Sequence, residues 1–140
     1  MEHILTMLIF FPAVAAILGF LIEKDSIRAF AIVVTFVEFI LSMILYYNFD
    51  INSADVQFMV NIPIISSYGI NYLIGVDGIS LFLIIMITFM TMIAVIALTE
   101  KRDVKNLIIT MLFLEMMMVG VFAAFDVILF YIFWELTIIP

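Results

Sequence analysis

Glu38, Glu115 and Glu135 stand inside sequence that is otherwise almost wholly apolar, and they are the residues whose type and placement could do chemistry. The other nine of the twelve acidic residues lie in loops or at the ends of apolar segments. Glu38 lies ten residues beyond Arg28, and Glu115 ten beyond Lys105. On helices, both acids would sit roughly 15 Å from the surface marked by those bases. Glu135 approaches from the opposite side, nine residues past Asp126, or roughly 13–14 Å from that surface. All three are therefore expected near the midplane of a hydrocarbon layer about 30 Å thick. A carboxyl group at that depth costs on the order of 2–3 kcal/mol on insertion scales, so it should face protein or water rather than lipid. A low dielectric favours the neutral, proton-carrying form of such a group and a nearby cation favours its anion; a movable cation would make a switch.

Each acid also has a structural reading, in which it is a protonated packing residue bonded to a Ser, a Thr or a carbonyl on the next helix. For Glu38 that reading is the stronger, because Thr35, Glu38 and Ser42 follow helical spacing on one face, as a polar seam would. Glu115 is evenly balanced; its neighbours Met116 to Met118 and Gly120 suit adaptable close packing. Glu135 favours function. Pro140, five residues on, should displace the hydrogen bond to the Leu136 carbonyl and loosen the helix beside the acid, although taken alone it reads equally well as a packing kink. Tyr131, one turn earlier on the same face, offers a hydroxyl. Proton transfer is thus placed first on Glu135 and second on Glu115.

The elements that must position these acids follow from composition. Of the 140 residues, 68% are hydrophobic and 12% charged, about half the charged share of a soluble chain, so lipid is the solvent. The fold class expected is all-α integral membrane. Apolar segments of about spanning length run over residues 3–22, 29–47, 79–98 and 107–125, and a fifth, 127–140, is still running where the chain stops, so the sequence reads as truncated. Residues 1–140 form one membrane domain, with four complete helices and the start of a fifth. The first segment is no signal peptide: Ala13-Val14-Ala15 resembles a cleavage site, but the leader carries no positive charge and the apolar run is too long. Lys24 and Arg28 fall in one loop and Lys101, Arg102 and Lys105 in another on the same side, which makes that side cytoplasmic and the N-terminus external. The outer loop, Asn48 to Gly78, holds two extended stretches, Val56–Ile65 and Ile70–Ile74, around a turn-like Ser66-Ser67-Tyr68-Gly69, which suggests a short β-hairpin.

Other residues are structural on this reading. Asp77 and Asp126 precede helices and suit N-caps. Pro12 bends the first helix, Ser80, Thr88 and Thr91 share a packing face, and Trp134 packs within the bundle. Without Cys the chain offers no thiolate for an iron–sulfur cluster, and with a single His, His3, it has no usual zinc or two-His haem site. Neither a metal nor a cofactor is expected on this chain. The five basic residues form no stripe, which excludes a nucleic-acid footprint.

The run Phe130-Tyr131-Ile132-Phe133-Trp134-Glu135-Leu136-Thr137-Ile138-Ile139-Pro140 resembles a signature of the antiporter-like membrane subunits of respiratory complex I. Asn71 to Leu81 and Phe113-Leu114-Glu115, followed by Gly120-Val121-Phe122 and Ala124-Phe125-Asp126, are similar to that family too, so the resemblance covers essentially the whole chain. Within it, Trp-Glu followed by a Pro five residues on is similar to the subunit M branch, to which mitochondrial subunit 4 is homologous. The resemblance implies a fourteen-helix subunit whose fourth and fifth helices open the first of two inverted repeats. It implies that Glu135 pairs with a Lys on a broken seventh helix and that this pair gates proton transfer towards a central Lys, both lysines lying beyond Pro140. A Glu matching Glu115 occurs in relatives; Glu38 matches no functional position. Also implied are a bacterial cell membrane, neighbouring antiporter-like subunits as partners, and quinone, FMN and iron–sulfur clusters on other subunits of a proton-pumping NADH:quinone oxidoreductase. The rival readings are a cation/proton antiporter or energy-converting hydrogenase membrane subunit, and a scaffold whose polar seams only lock helices together.

Overall fold

The computed structural model describes residues 4–50, 52, 55–98 and 104–138. Five helices and one hairpin follow in the order α1 (Ile4–Gly19), α2 (Ile27–Asn48), β1 (Gln57–Ile65), β2 (Ile70–Val76), α3 (Gly78–Ala97), α4 (Val104–Ala123) and α5 (Val127–Ile138). The chain is mostly helical, as its apolar segments require, and α2, α3 and α4 are each long and apolar enough to cross a membrane.

The expected helix bounds differ from the observed ones in two informative places. The first helix, expected over 3–22, ends at Gly19, where the N–H groups of Phe20, Leu21 and Ile22 turn back to the carbonyls of Ile17, Leu18 and Gly19 at 3.0–3.2 Å. Such i→i−3 bonds tighten the last turn and end the α-geometry. At 16 residues α1 is about 24 Å long, below spanning length. The fourth helix, expected over 107–125, runs from Val104 to Ala123. Ala124 and Phe125 leave it to pair with the hairpin, Ala124 bridging to Ile74 and the Phe125 N–H donating to the Leu73 carbonyl at 2.8 Å. The apolar pattern of 124–125 is indifferent between helix and strand, and the free edge of β2 decides it.

The hairpin forms where the sequence suggests it. β1 and β2 are antiparallel, joined by a single 3₁₀ turn over Ser66–Tyr68 and by Gly69, whose φ of 69° needs a residue without a Cβ. The hairpin is tied down twice near its turn: the Tyr72 hydroxyl lies 3.2 Å from the Thr6 hydroxyl on α1, and an Asp126 carboxylate oxygen accepts the Asn71 N–H at 2.7 Å. The other Asp126 oxygen accepts the Ile128 N–H at 3.3 Å, so one aspartate caps α5 and latches β2.

Asp77 caps α3 as expected, accepting the N–H groups of Ile79 and Ser80 at 3.0 and 2.8 Å, while the Ser80 hydroxyl accepts the Asp77 N–H at 2.9 Å, a reciprocal capping box. The Ser80 N–H first, with the Ser80 hydroxyl and the Ile79 N–H, holds the Asp77 carboxyl below its ordinary value. A depressed carboxyl pKa contributes stability that is present above the unfolded pKa and lost as pH falls through the folded one. Asp77→Ala is expected to cost about 1 kcal/mol at the start of α3, read as roughly fivefold faster hydrogen exchange over residues 78–81 at neutral pH, with the difference from the parent shrinking in acid. Equal exchange in the two proteins at neutral pH would show that the cap contributes nothing.

α4 is the hub of the bundle. It packs on α1, α3, α5 and α2, whereas α2 and α3 form the other close pair. Two separate apolar cores result. One, beside the hairpin, joins Leu5, Leu8, Leu45, Ile84, Val119 and Phe133. The other, near the basic loops, joins Ala16, Ala31, Val34, Val95, Ile108 and Leu112. On every helix of the four-helix core, the residues between these clusters mark one layer at mid-depth.

Candidate functional site

That layer is polar. From α2 it receives Thr35, Glu38 and Ser42, from α3 Thr88 and from α4 Glu115, all of them buried. The sequence puts them there for simple geometric reasons. Thr35, Glu38 and Ser42 share one face by helical spacing. Glu38 and Glu115 lie at equal distances along helices that both start from the side of the basic loops. The Lys105 ammonium fixes that side further, donating to the Phe20 carbonyl at 3.0 Å and so tying the start of α4 to the end of α1.

Hydrogen bonding within the layer is uneven. The Ser42 hydroxyl donates to the Phe39 carbonyl at 2.6 Å and accepts from Thr88 at 3.0 Å, the one link between α2 and α3 in this seam among the described residues. Thr35 turns its hydroxyl onto its own helix, to the Ala31 carbonyl at 2.8 Å. Both oxygens of Glu38 and both of Glu115 are sealed from solvent with no hydrogen-bond partner, at residue exposures of 0% and 1%. The helices that carry them, α2 and α4, pack against each other. Glu115 also lines a cleft of about 400 Å³ between α3 and α4, together with Met86, Met90, Thr91, Met111 and Met118.

Burial does not follow the order in which the sequence ranks the acids. Glu38, read as a packing residue bonded to a neighbour, has no such bond, although its seam partners Ser42 and Thr88 do form one. Glu135 lies exposed on α5 and makes no hydrogen bond or ion pair among the described residues. The three acids therefore do not all lie inside this chain: Glu38 and Glu115 are buried in one layer, and Glu135 is exposed. Tyr131 is exposed as well, and Trp134, expected in the bundle, is exposed and stacked on Phe130 with ring centroids 6.2 Å apart. Pro140, like His3, Lys101 and Arg102, lies outside the described residues. The signal that could have promoted Glu38 was its depth, equal to that of Glu115 on a neighbouring helix.

α5 is held on α4 by one close approach. The Phe133 ring lies over Gly120, where an added Cβ would stand 2.5 Å from the ring. Gly120 thus sets the height and rotation at which α5 presents Glu135, two residues beyond Phe133.

Long apolar helices around a sealed layer of carboxyl groups define the class: a polytopic integral membrane protein with ionisable groups in its helical interior. Comparison with known proteins narrows it. The chain is 34% identical to F(420)H(2) dehydrogenase subunit M of Methanosarcina mazei over its whole length, covering 29% of that protein. It is 34% identical to NADH-quinone oxidoreductase subunit M of Rhodobacter capsulatus, again over its whole length and 28% of the relative. Against NADH-ubiquinone oxidoreductase chain 4 of Arabidopsis thaliana it is 33% identical, over 95% of the chain and 28% of the relative. The chain belongs to this family of subunit M and chain 4 proteins, of whose length it spans less than a third. A chain of respiratory complex I from Thermus thermophilus with bound NADH has the same fold, with a TM-score of 0.83 over 97% of this chain and 27% of that one, at 23% identity. No protein-family model matches.

Proposed function

We propose that this chain is part of a proton-translocating membrane-arm subunit of a complex I-type NADH:quinone oxidoreductase, in which quinone reduction on partner subunits drives proton movement through buried glutamates. The observation that carries the reading is the sealed mid-depth layer. A membrane protein that only needed its helices locked together would satisfy its buried carboxyl oxygens; this one leaves four of them unbonded, where uptake or release of a proton changes the charge of the layer. The family supplies the context, since the relatives bear the names of quinone oxidoreductase and F(420)H(2) dehydrogenase subunits.

Glu135 is the carboxylate through which protons pass to groups outside this chain, and Glu115 is a member of the path inside it. The exposure of Glu135 supports this, because an acid that pairs with a lysine on a later helix must face away from the first four. FMN, iron–sulfur clusters and quinone belong to partner subunits, and the electron donor is set by those partners. The neighbours in the membrane are other antiporter-like subunits, and the membrane is the bacterial cell membrane. The basic loops lie on its cytoplasmic side, α2 to α4 cross it, α1 crosses it with the help of the extra turn that carries the chain on to Ile22, the N-terminus is outside, and the hairpin stands on the outer face, where its strands can tie subunits together.

The test is proton uptake by vesicles holding the assembled complex. Pumping is expected to require both electron donor and quinone, and to stop when the redox subunits are stripped off. Cation-driven proton exchange that survives stripping would overturn the oxidoreductase assignment in favour of a cation/proton antiporter.

A further inference from the structure

Two apolar cores enclose the polar layer, and inside it Glu38 of α2 and Glu115 of α4, on helices that pack against each other, are both sealed with no hydrogen-bond partner among the described residues. The sequences of α1 and α3, which pack against α2 and α4, contain no titratable side chain. On α2 and α4 themselves the basic residues are Arg28 and Lys105, both in the first turns and roughly 15 Å along the helix from the acids. The ammonium of Lys105 is engaged at the end of α1. Tyr46 and Tyr47 lie at the far end of α2, and Tyr131 and Glu135 of α5 are exposed. Nothing among the described residues compensates two anions in that layer, and like charges in a low dielectric cannot both persist.

We propose that Glu38 and Glu115 form a carboxyl pair that holds a proton in common across the α2–α4 interface, a proton-storing site distinct from Glu135. In the resting pair one carboxyl is protonated and donates to the other, which carries the single negative charge; this supplies the hydrogen bonds that the protein itself does not. Loading adds one proton from water and takes the pair from a charge of −1 to neutral; unloading returns it. No electron moves and no other bond changes. The cleft between α3 and α4, lined by Glu115 and Thr91, reaches this layer, so a small opening of the sealed Glu115 carboxyl on that side would admit the proton. The Ser42–Thr88 bond is a ready second acceptor when the pair rearranges.

This inference deepens the proton-translocation reading and rests on it, but its test is separate. Infrared difference spectra of the assembled complex, recorded in ordinary and heavy water as pH is stepped, report the C=O stretch of a protonated carboxyl. A single deuterium-sensitive band is expected, shifted or removed by Glu38→Gln and equally by Glu115→Gln. In pumping assays each single variant is expected to fall about fivefold and the double variant about fivefold as well, rather than the roughly twenty-five-fold of two independent groups. Glu38→Met, which keeps the volume and buries no amide, should reproduce Glu38→Gln and guards against a folding effect. Two bands, each lost with its own residue alone, would overturn the shared proton, as would multiplicative losses of pumping. Normal pumping by Glu135→Gln together with the shared band would instead sink the assignment of Glu135 and leave the pair standing.

Discussion

Glu135→Gln in the full-length subunit is expected to abolish redox-driven proton pumping while leaving assembly of the complex intact. The amide matches the carboxyl in size and keeps a hydrogen-bonding head, but it neither takes up nor releases a proton near neutral pH, so a step that needs the acid should slow by on the order of a hundredfold or more. Assembly should survive because Glu135 supports nothing inside this chain: it is exposed on α5 and bonds to no described residue. The contrast with the interior acids is part of the prediction. Glu38→Gln and Glu115→Gln lie in a fully sealed layer and are expected to lower pumping only about fivefold each. The measurement is proton uptake per quinone reduced, in vesicles whose complex content is matched by electrophoresis. Full pumping by the Gln variant at matched content would remove Glu135 from the mechanism.

Gly120→Ala is expected to destabilise the seating of α5 on α4 by about 1–3 kcal/mol, the usual cost of forcing a methyl group into filled space. The new Cβ would stand 2.5, 2.6 and 2.8 Å from three ring atoms of Phe133, and that ring is buried in the hairpin-side core, so it has little room to swing away. Moving the ring moves α5, and with it Glu135. The variant should therefore lose pumping out of proportion to its loss of thermal stability, since a displacement of about 1 Å at a proton-transfer group can cost on the order of a hundredfold in rate. Phe133→Leu in the Gly120→Ala background relieves the overlap and should restore most of the thermal midpoint. An unchanged midpoint in Gly120→Ala would show that the ring yields freely and that the contact does not seat the helix. At Gly75 the corresponding Cβ would meet Val56 at 2.5 Å, but the consequence there is confined to the hairpin and its tie to Phe125.

The two apolar cores explain how a buried layer of carboxyl groups and stability can coexist in so apolar a chain. Each core buries leucine and isoleucine at full depth on either side of the layer, so the bundle is held from both ends while its middle carries groups that cost free energy to bury. The hairpin contributes at one end of the bundle: Tyr72 is bonded to α1 and Asn71 to Asp126, which couples the loop between α2 and α3 to the start of the helix bearing Glu135. Burial lifts the Tyr72 hydroxyl above its ordinary range, opposed in part by its bond to Thr6, so that contact stays uncharged well above neutral pH.

The relatives set the frame for these residues. Similar stretches occur in proteins named as subunits of F(420)H(2) dehydrogenase, NADH-quinone oxidoreductase and NADH-ubiquinone oxidoreductase.

Composition and periodicity by themselves determined the apolar helices, the hairpin with Gly69 at its turn, the Asp77 and Asp126 caps and the depth of each glutamate. These are local or one-dimensional properties: a run of apolar residues, a residue lacking a Cβ, a carboxylate before a helix, a count of 1.5 Å steps. Which acids meet was decided only by the tertiary structure, because depth says nothing of the direction in which a side chain points around its helix. Packing of α4 against four neighbours buried Glu115 in the layer that holds Glu38, and the Phe133–Gly120 contact seats α5 with Glu135 exposed. The end of α4 was decided the same way, since Ala124 and Phe125 suit either helix or strand until the open edge of β2 offers them hydrogen bonds.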